Sequence, residues 1–166
     1  MGVLPYSEVV RMFGDPTLFM DEHGDPRPEW ELRLTSVPLP RPIPYLDGVR
    51  SVKAVRCHSL IAPFLEAAFF TLHRANQWEL LKDCGGCYNW RLSRQSNVLS
   101  RHSWGIAIDL NVADNPFKGT PKMDPRIVRA FTNEGFTWGG AWKQRRDGMH
   151  FEFIDIDRLE APRGVR

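Results

Sequence analysis

The sequence predicts a small α+β domain. Helical periodicity marks three stretches and strand patterning marks five. The two kinds of element do not alternate in the manner of βαβ units. At 166 residues the chain has room for one domain around one hydrophobic core.

Residues 1–49 hold 8 of the 13 prolines and carry 8 acidic against 4 basic side chains, which suggests an irregular or edge layer. Pro38, Pro40, Pro42 and Pro44 cannot donate to a sheet ladder. Phe19, Trp30, Leu32, Leu34 and Tyr45 make this segment too apolar for a disordered tail. It is expected to wrap over a core formed by residues 50–160, with a short helix near Ser7–Phe13 and an edge strand near Trp30–Thr35. Val52–Cys57 has the pattern of a strand. Ile61, Phe64, Leu65, Ala68, Phe69, Leu72 and Ala75 then recur at helical spacing. The predicted helix runs from Leu60 to Lys82, with Pro63 in its first turn and Gly85–Gly86 ending it. Gly105–Leu110 has β character. Asp124-Pro125 opens a helix to about Asn133, stopped by Gly135, and Phe136–Trp138 and Met149–Ile154 are further short strands.

Composition excludes several classes of function. Twenty-two basic against 20 acidic residues leave a net charge of +2, too little for a general nucleic-acid binder. Residues 50–101 are locally basic, which reads as a solvated face. No apolar run approaches the roughly 18–20 residues of a membrane span, and Met1–Met12 lacks the pattern of a secretory signal. The chain is therefore expected to be made in the cytoplasm, with no stable membrane insertion. Three cysteines without a signal read as reduced thiols. Cys84-Gly-Gly-Cys87 has the spacing of half a zinc site or of a redox pair. No second pair accompanies it and it does not open a helix, so turn cysteines packed beside the core are the expectation.

Two segments concentrate reactive side chains: Ser100–Asn111 and Asp147–Phe153. In extended strands Ile106, Ile108 and Leu110 share one face and Asp109 takes the other. Likewise Phe151 and Phe153 face the core while His150 and Glu152 face away. Adjacent strands would then project Asp109 and His150 from the same face. His102 lies seven residues before Asp109, the wrong parity for an unbroken strand, but a loop at Ser103–Gly105 would return it to that side. Two imidazoles and a carboxylate form a three-ligand zinc site with an open position, the catalytic pattern. Asp147, on a turn before His150, is placed to act as a base beside such a metal. Glu152 is either a partner that holds the His150 ring or a solvent-facing glutamate. His58 and His73 read as histidines outside the site, and His23 as a solvated one.

The stretches Cys87-Tyr-Asn-Trp-Arg91, Ser100-x-His102-x-x-Gly105-x-Ala-x-Asp109, Trp138-Gly-Gly-x-Trp142 and Asp147-x-Met-His150-Phe-Glu together resemble the D-alanyl-D-alanine carboxypeptidase-like zinc peptidases. That family includes the L-alanyl-D-glutamate endopeptidases of phage endolysins. The motifs span about two-fifths of the chain, Cys87–Phe153. The resemblance implies a central antiparallel sheet with flanking helices, as in the hedgehog signalling domain. It implies His102, Asp109 and His150 as ligands of Zn2+ and Asp147 as the catalytic acid/base. It also implies Arg91, with Arg94 as the alternative, as the arginine that steadies the substrate carbonyl. Ser100 matches the motif serine and is expected to orient a ligand or bind peptide, and Trp142 is expected beside the site.

The expected function is a single-domain zinc peptidase, an endolysin acting as a monomer on bacterial peptidoglycan during phage lysis, with no nucleic-acid partner. Asp in the DxxH setting favours cleavage of the L-Ala-D-Glu bond over D-Ala-D-Ala carboxypeptidase or dipeptidase activity. A non-catalytic, metal-stabilised cell-wall-binding domain and a CxxC redox protein are the competing classes.

Overall fold

Residues 3–93 and 97–160 are described by the computed structural model. The N-terminal third is more regular than its proline content predicts. Tyr6–Phe13 forms α1, which buries Val9 and Phe13. Pro28–Glu31 forms a single turn, α2, whose Trp30 is fully buried. The edge strand expected at Trp30–Thr35 is therefore displaced: β1 begins at Leu34 and continues through the prolines to Pro44. Proline at every second position is compatible with this, because alternate residues of a strand direct their N–H groups to one side. Among the described residues β1 has a strand partner on one side only, the antiparallel β2 (Ser51–His58). Val37 and Ile43 reach the core from either side of a register shift between Pro38 and Ile43.

The core helix is shorter than its apolar periodicity predicts. α3 covers Ala62–Arg74, with Pro63 in its first turn, and buries Leu65, Ala68, Phe69 and Leu72. It ends because Asn76 takes a left-handed φ of 54°. The N–H groups of Gln77 and Asn76 then return to the carbonyls of Leu72 and His73, at 2.9 and 3.1 Å. This is a Schellman closure with Asn in the place usually taken by Gly. A 3-10 turn at Trp78–Leu80 leads on to β3 (Cys84–Gly86).

The remaining elements are β4 (Ala107–Leu110), α4 (Pro125–Thr132), β5 (Phe136–Trp138), β6 (His150–Phe153) and a last turn, α5 (Asp157–Glu160). The Asp124 carboxylate accepts the Arg126 N–H, so the predicted cap of α4 is formed. The strands make a four-stranded antiparallel sheet in the order β3–β4–β6–β5, as expected of an α+β fold. Phe131 of α4 packs edge-on to Phe69 of α3 and against Phe151 of β6, which joins helices and sheet. The N-terminal third belongs to this same core. Trp30 donates its indole N–H to the Ser103 carbonyl at 3.1 Å, and the Trp104 indole donates to the Gly14 carbonyl at 2.8 Å. No helix among the described residues is long and apolar enough to cross a membrane.

Gly105 is where the two sheets meet. Its φ of 67° is left-handed, and a Cβ there would lie 2.9 Å from the backbone nitrogen of His58. Its carbonyl accepts the His58 N–H at 2.9 Å and the Cys87 thiol at 3.2 Å. Gly105→Ala is expected to lower unfolding free energy by about 2 kcal/mol or more in urea titrations, since left-handed strain adds to a backbone clash. A loss below about 0.5 kcal/mol would show that the junction can relax.

His58 gives the fold an acid sensitivity. Burial, assisted by the charge of Arg33, pushes its imidazole down to about 4. Its Nδ1 accepts the Leu60 N–H at 3.2 Å, which holds the neutral ring. In the unfolded chain the ring binds a proton near pH 6.5, so between pH 6.5 and 4 the unfolded state carries more protons and is favoured. This contribution is full above pH 6.5 and is lost on acidification towards pH 4, up to roughly 3 kcal/mol. His58→Gln should flatten that part of the stability profile; an unchanged slope would assign the acid loss to other groups.

Candidate metal centre

The route of the chain from Ser100 to Leu110 brings three donors together. Ser100 caps a one-turn 3-10 helix, Arg101–Trp104, by accepting the His102 N–H. The loop expected at Ser103–Gly105 is therefore this turn, which ends at the left-handed Gly105. The backbone break returns His102 to the Asp109 side of β4, as the parity argument requires. Across the sheet Asp109 is directly opposite His150, and Ala107 opposite Glu152.

His102 Nε2 lies 3.3 Å from Asp109 Oδ1, and His150 Nδ1 lies 3.1 Å from the same oxygen. The ligand atoms of the three residues all fall within 4.8 Å of one another, so they could hold a metal ion. Each ring is held from behind. His102 Nδ1 is 2.8 Å from the Cys87 carbonyl, which can only accept, so the proton is on Nδ1 and the lone pair on Nε2. That Nε2 is buried and lacks the geometry of a hydrogen bond to any group, its approach to Asp109 included. His150 Nε2 is 3.1 Å from Glu152 Oε2, which leaves Nδ1 to face Asp109. A nitrogen, nitrogen, oxygen donor set with outer hydrogen bonds fixing both tautomers fits a divalent cation such as zinc.

The charges agree with that fit. Burial pushes the Asp109 carboxyl up, but the two imidazoles in their protonated forms outweigh it and hold the group well below the usual carboxylate range. Burial likewise opposes charge on His150, yet hydrogen bonds to Asp109 and Glu152 raise it to about 10. Such a cluster stores a site for positive charge in a region with little access to water.

Asp109 and His150 open onto a groove of about 690 Å³, which Arg91, Ser100, Trp142 and Asp147 also line. The Trp142 ring is 5.6 Å from that of His150. Asp147 is set by its backbone: its N–H donates to the Gly139 carbonyl at 3.0 Å, and its own carbonyl accepts the His150 N–H at 3.3 Å. A Cβ on Gly139 would approach the Asp147 carbonyl to 2.5 Å, so this loop closes only around glycine. Arg91 is anchored through its backbone, which pairs with the Ser103 hydroxyl and the Ser100 N–H. Arg94 lies outside the described residues.

The structure decides between the two readings of Glu152 in favour of the partner that holds the His150 ring, and it adds contacts the sequence does not signal. Glu152 is 3% exposed, so the solvent-facing alternative is excluded. The reason is that both faces of β6 are buried, with the Glu152 carboxylate placed between the His150 ring and the Arg101 guanidinium. Arg101 sits 3.9 Å from the other Glu152 oxygen while donating to the Leu4 carbonyl at 2.6 Å. The Cys87 carbonyl as the His102 partner carries no side-chain signal and could not be read from residue types. His58 and His73 contact Phe13 and Trp78 and stand apart from the metal donors.

Glu152→Ala is expected to weaken zinc binding roughly 10- to 100-fold in competition with a chelating dye, because the His150 ring loses its outer partner. A change under about threefold would show that packing alone orients the ring.

Residues 93–153, which hold Ser100, His102, Asp109, Trp142, Asp147 and His150, match the sequence model of a family described as D-alanyl-D-alanine carboxypeptidase. The segment that carries the candidate metal centre is thus similar to a family of metallopeptidases.

Proposed function

We propose that this protein is a zinc peptidase that hydrolyses a stem-peptide bond of bacterial peptidoglycan. The observation that carries the reading is a donor cluster of two buried histidines and a half-buried aspartate opening onto a groove that also contains Asp147 and Arg91. A zinc ion held by His102, Asp109 and His150 would polarise a carbonyl and bring the pKa of a water towards neutrality.

The side chains of the groove supply the remaining steps. Asp147 accepts a proton from the attacking water as the oxygen bonds to the scissile carbonyl carbon. Arg91 donates hydrogen bonds to the carbonyl oxygen, where negative charge develops. Asp147 then delivers the proton to the amide nitrogen as the C–N bond breaks, leaving a carboxylate and an amine. Ser100 acts indirectly, by capping the turn that carries His102. Trp142 offers an apolar wall for the peptide beside His150.

Asp in the DxxH setting favours the L-Ala-D-Glu bond, the specificity of the endolysin-type relatives, and with it a role in phage lysis of the cell wall. The description of the matching family favours removal of terminal D-Ala as the second reading.

The test is mass spectrometry of peptides released from purified peptidoglycan by zinc-loaded, chelator-treated and Asp147→Ala protein. The expected products are fragments ending at an L-Ala/D-Glu cut, absent after chelation and slowed by at least about 100-fold in the variant, which keeps its zinc. Release of terminal D-Ala alone would establish the carboxypeptidase. No cleavage by folded, zinc-bound protein would leave a binding domain.

A further inference from the structure

The groove holds more positive charge than the proposed reaction uses. Its lining includes Arg91, Arg101, Lys143 and Arg145. Arg101 is engaged by the Leu4 carbonyl and Glu152. On the acidic side, three carboxylates line the groove: Asp109 and Glu152 are committed to the two imidazoles, and Asp147 is the proton acceptor of the proposed reaction. Neither Asp109 nor Glu152 forms an ion pair with Arg91, Lys143 or Arg145.

Two of these cations share a loop that is fastened to the metal centre. The loop leaves Trp142, whose ring packs beside that of His150, and returns at Asp147. Its base is closed by the Trp142 and Asp147 N–H groups, which both donate to the Gly139 carbonyl, at 3.2 and 3.0 Å. Its far side is tied by the Lys118 N–H to the Arg146 carbonyl at 3.1 Å. Arg145 holds a left-handed φ of 57°, an unfavourable conformation for a residue with a Cβ. Lys143 and Arg145 are thus presented to the groove from an anchored loop. Like charges gathered in one groove repel each other, and an anionic ligand relieves that repulsion while gaining charge-assisted hydrogen bonds.

We propose that Lys143 and Arg145 bind a carboxylate of the substrate outside the scissile bond. The peptide cut here is accordingly acidic, and amidation of its carboxyl groups weakens recognition. Arg91 stays with the reacting carbonyl. The proposal rests on the peptidase reading above and adds to it a substrate charge and the residues that read it.

The experiment uses a synthetic stem pentapeptide, which contains both candidate bonds, in two forms: carboxyl groups free, and carboxyl groups converted to carboxamides. For the zinc-loaded wild type, kcat/KM on the acidic form should exceed that on the amidated form by about tenfold or more, chiefly through KM, and the ratio should shrink as salt is raised. In Lys143→Gln/Arg145→Gln the ratio should fall to within about twofold. Equal cleavage of both peptides by the wild type, or an undiminished ratio in the double variant, overturns the proposal and leaves the peptidase standing. Cleavage of neither peptide overturns the peptidase, and quenching of tryptophan fluorescence by the same peptides then decides the carboxylate site. Tighter binding of the acidic form by wild type than by the double variant upholds it; equal binding or none ends it.

Discussion

A carboxylate withdrawn from water costs several kcal/mol unless charges of opposite sign and hydrogen bonds replace its hydration. Asp109 meets that requirement at one oxygen, which takes a hydrogen bond from His150 and faces His102 Nε2, where a proton or a metal ion would bring positive charge, and much of the surrounding structure serves this arrangement. The register of β4 on β6 sets Asp109 opposite His150, and the same register sets Glu152 where it can hold the far nitrogen of that ring. A slip of one residue would turn Asp109 to the other face of the sheet, into the layer occupied by Ile108 and Phe151. The apolar packing of Phe131, Phe151 and Phe153 and the polar chemistry on the opposite face are therefore two consequences of one strand alignment.

His102 reaches the cluster by a separate device. The cap at Ser100, the single 3-10 turn and the left-handed Gly105 reverse the parity of the chain within six residues. Gly105 then locks that reversal to β2 and to Cys87, and the Cys87 carbonyl fixes the His102 ring. This gives the CxxC segment a role quite different from redox or metal chemistry. Cys57, Cys84 and Cys87 are buried free thiols, and burial pushes the thiols of Cys57 and Cys84 up to about 12. Such groups remain protonated at neutral pH and are poor nucleophiles. What Cys87 contributes to the site is a backbone oxygen.

The proline-rich N-terminal third is more than an outer layer. Trp30 and the Trp104–Gly14 hydrogen bond attach it to the turn carrying His102. Val3 and Tyr6 line the groove, and Tyr6 lies edge-on to Trp104 while facing Arg101. Through Arg101 this segment reaches Glu152 and hence the His150 ring. The segment without a recognisable motif thus helps shape the groove and backs the donors held by the segment with one.

Much of this was legible in the sequence, for a physical reason. Strand alternation alone separates Asp109 from the isoleucines and His150 from the phenylalanines, and Gly105 alone permits the parity change at His102. Caps such as Asp124-Pro125 are equally local. Local chemistry also misled in places. The apolar period continues past Arg74, yet Asn76 ends α3, because a left-handed closure satisfies the last carbonyls as glycine would. Alternate prolines looked like an irregular layer, yet they suit a strand with one free side. Only the tertiary structure could bring Cys87, Arg101 and Leu4 behind the two histidines and choose between the two readings of Glu152. Those contacts depend on backbone carbonyls and on which face of a strand is covered, and neither quantity is encoded in residue type or spacing.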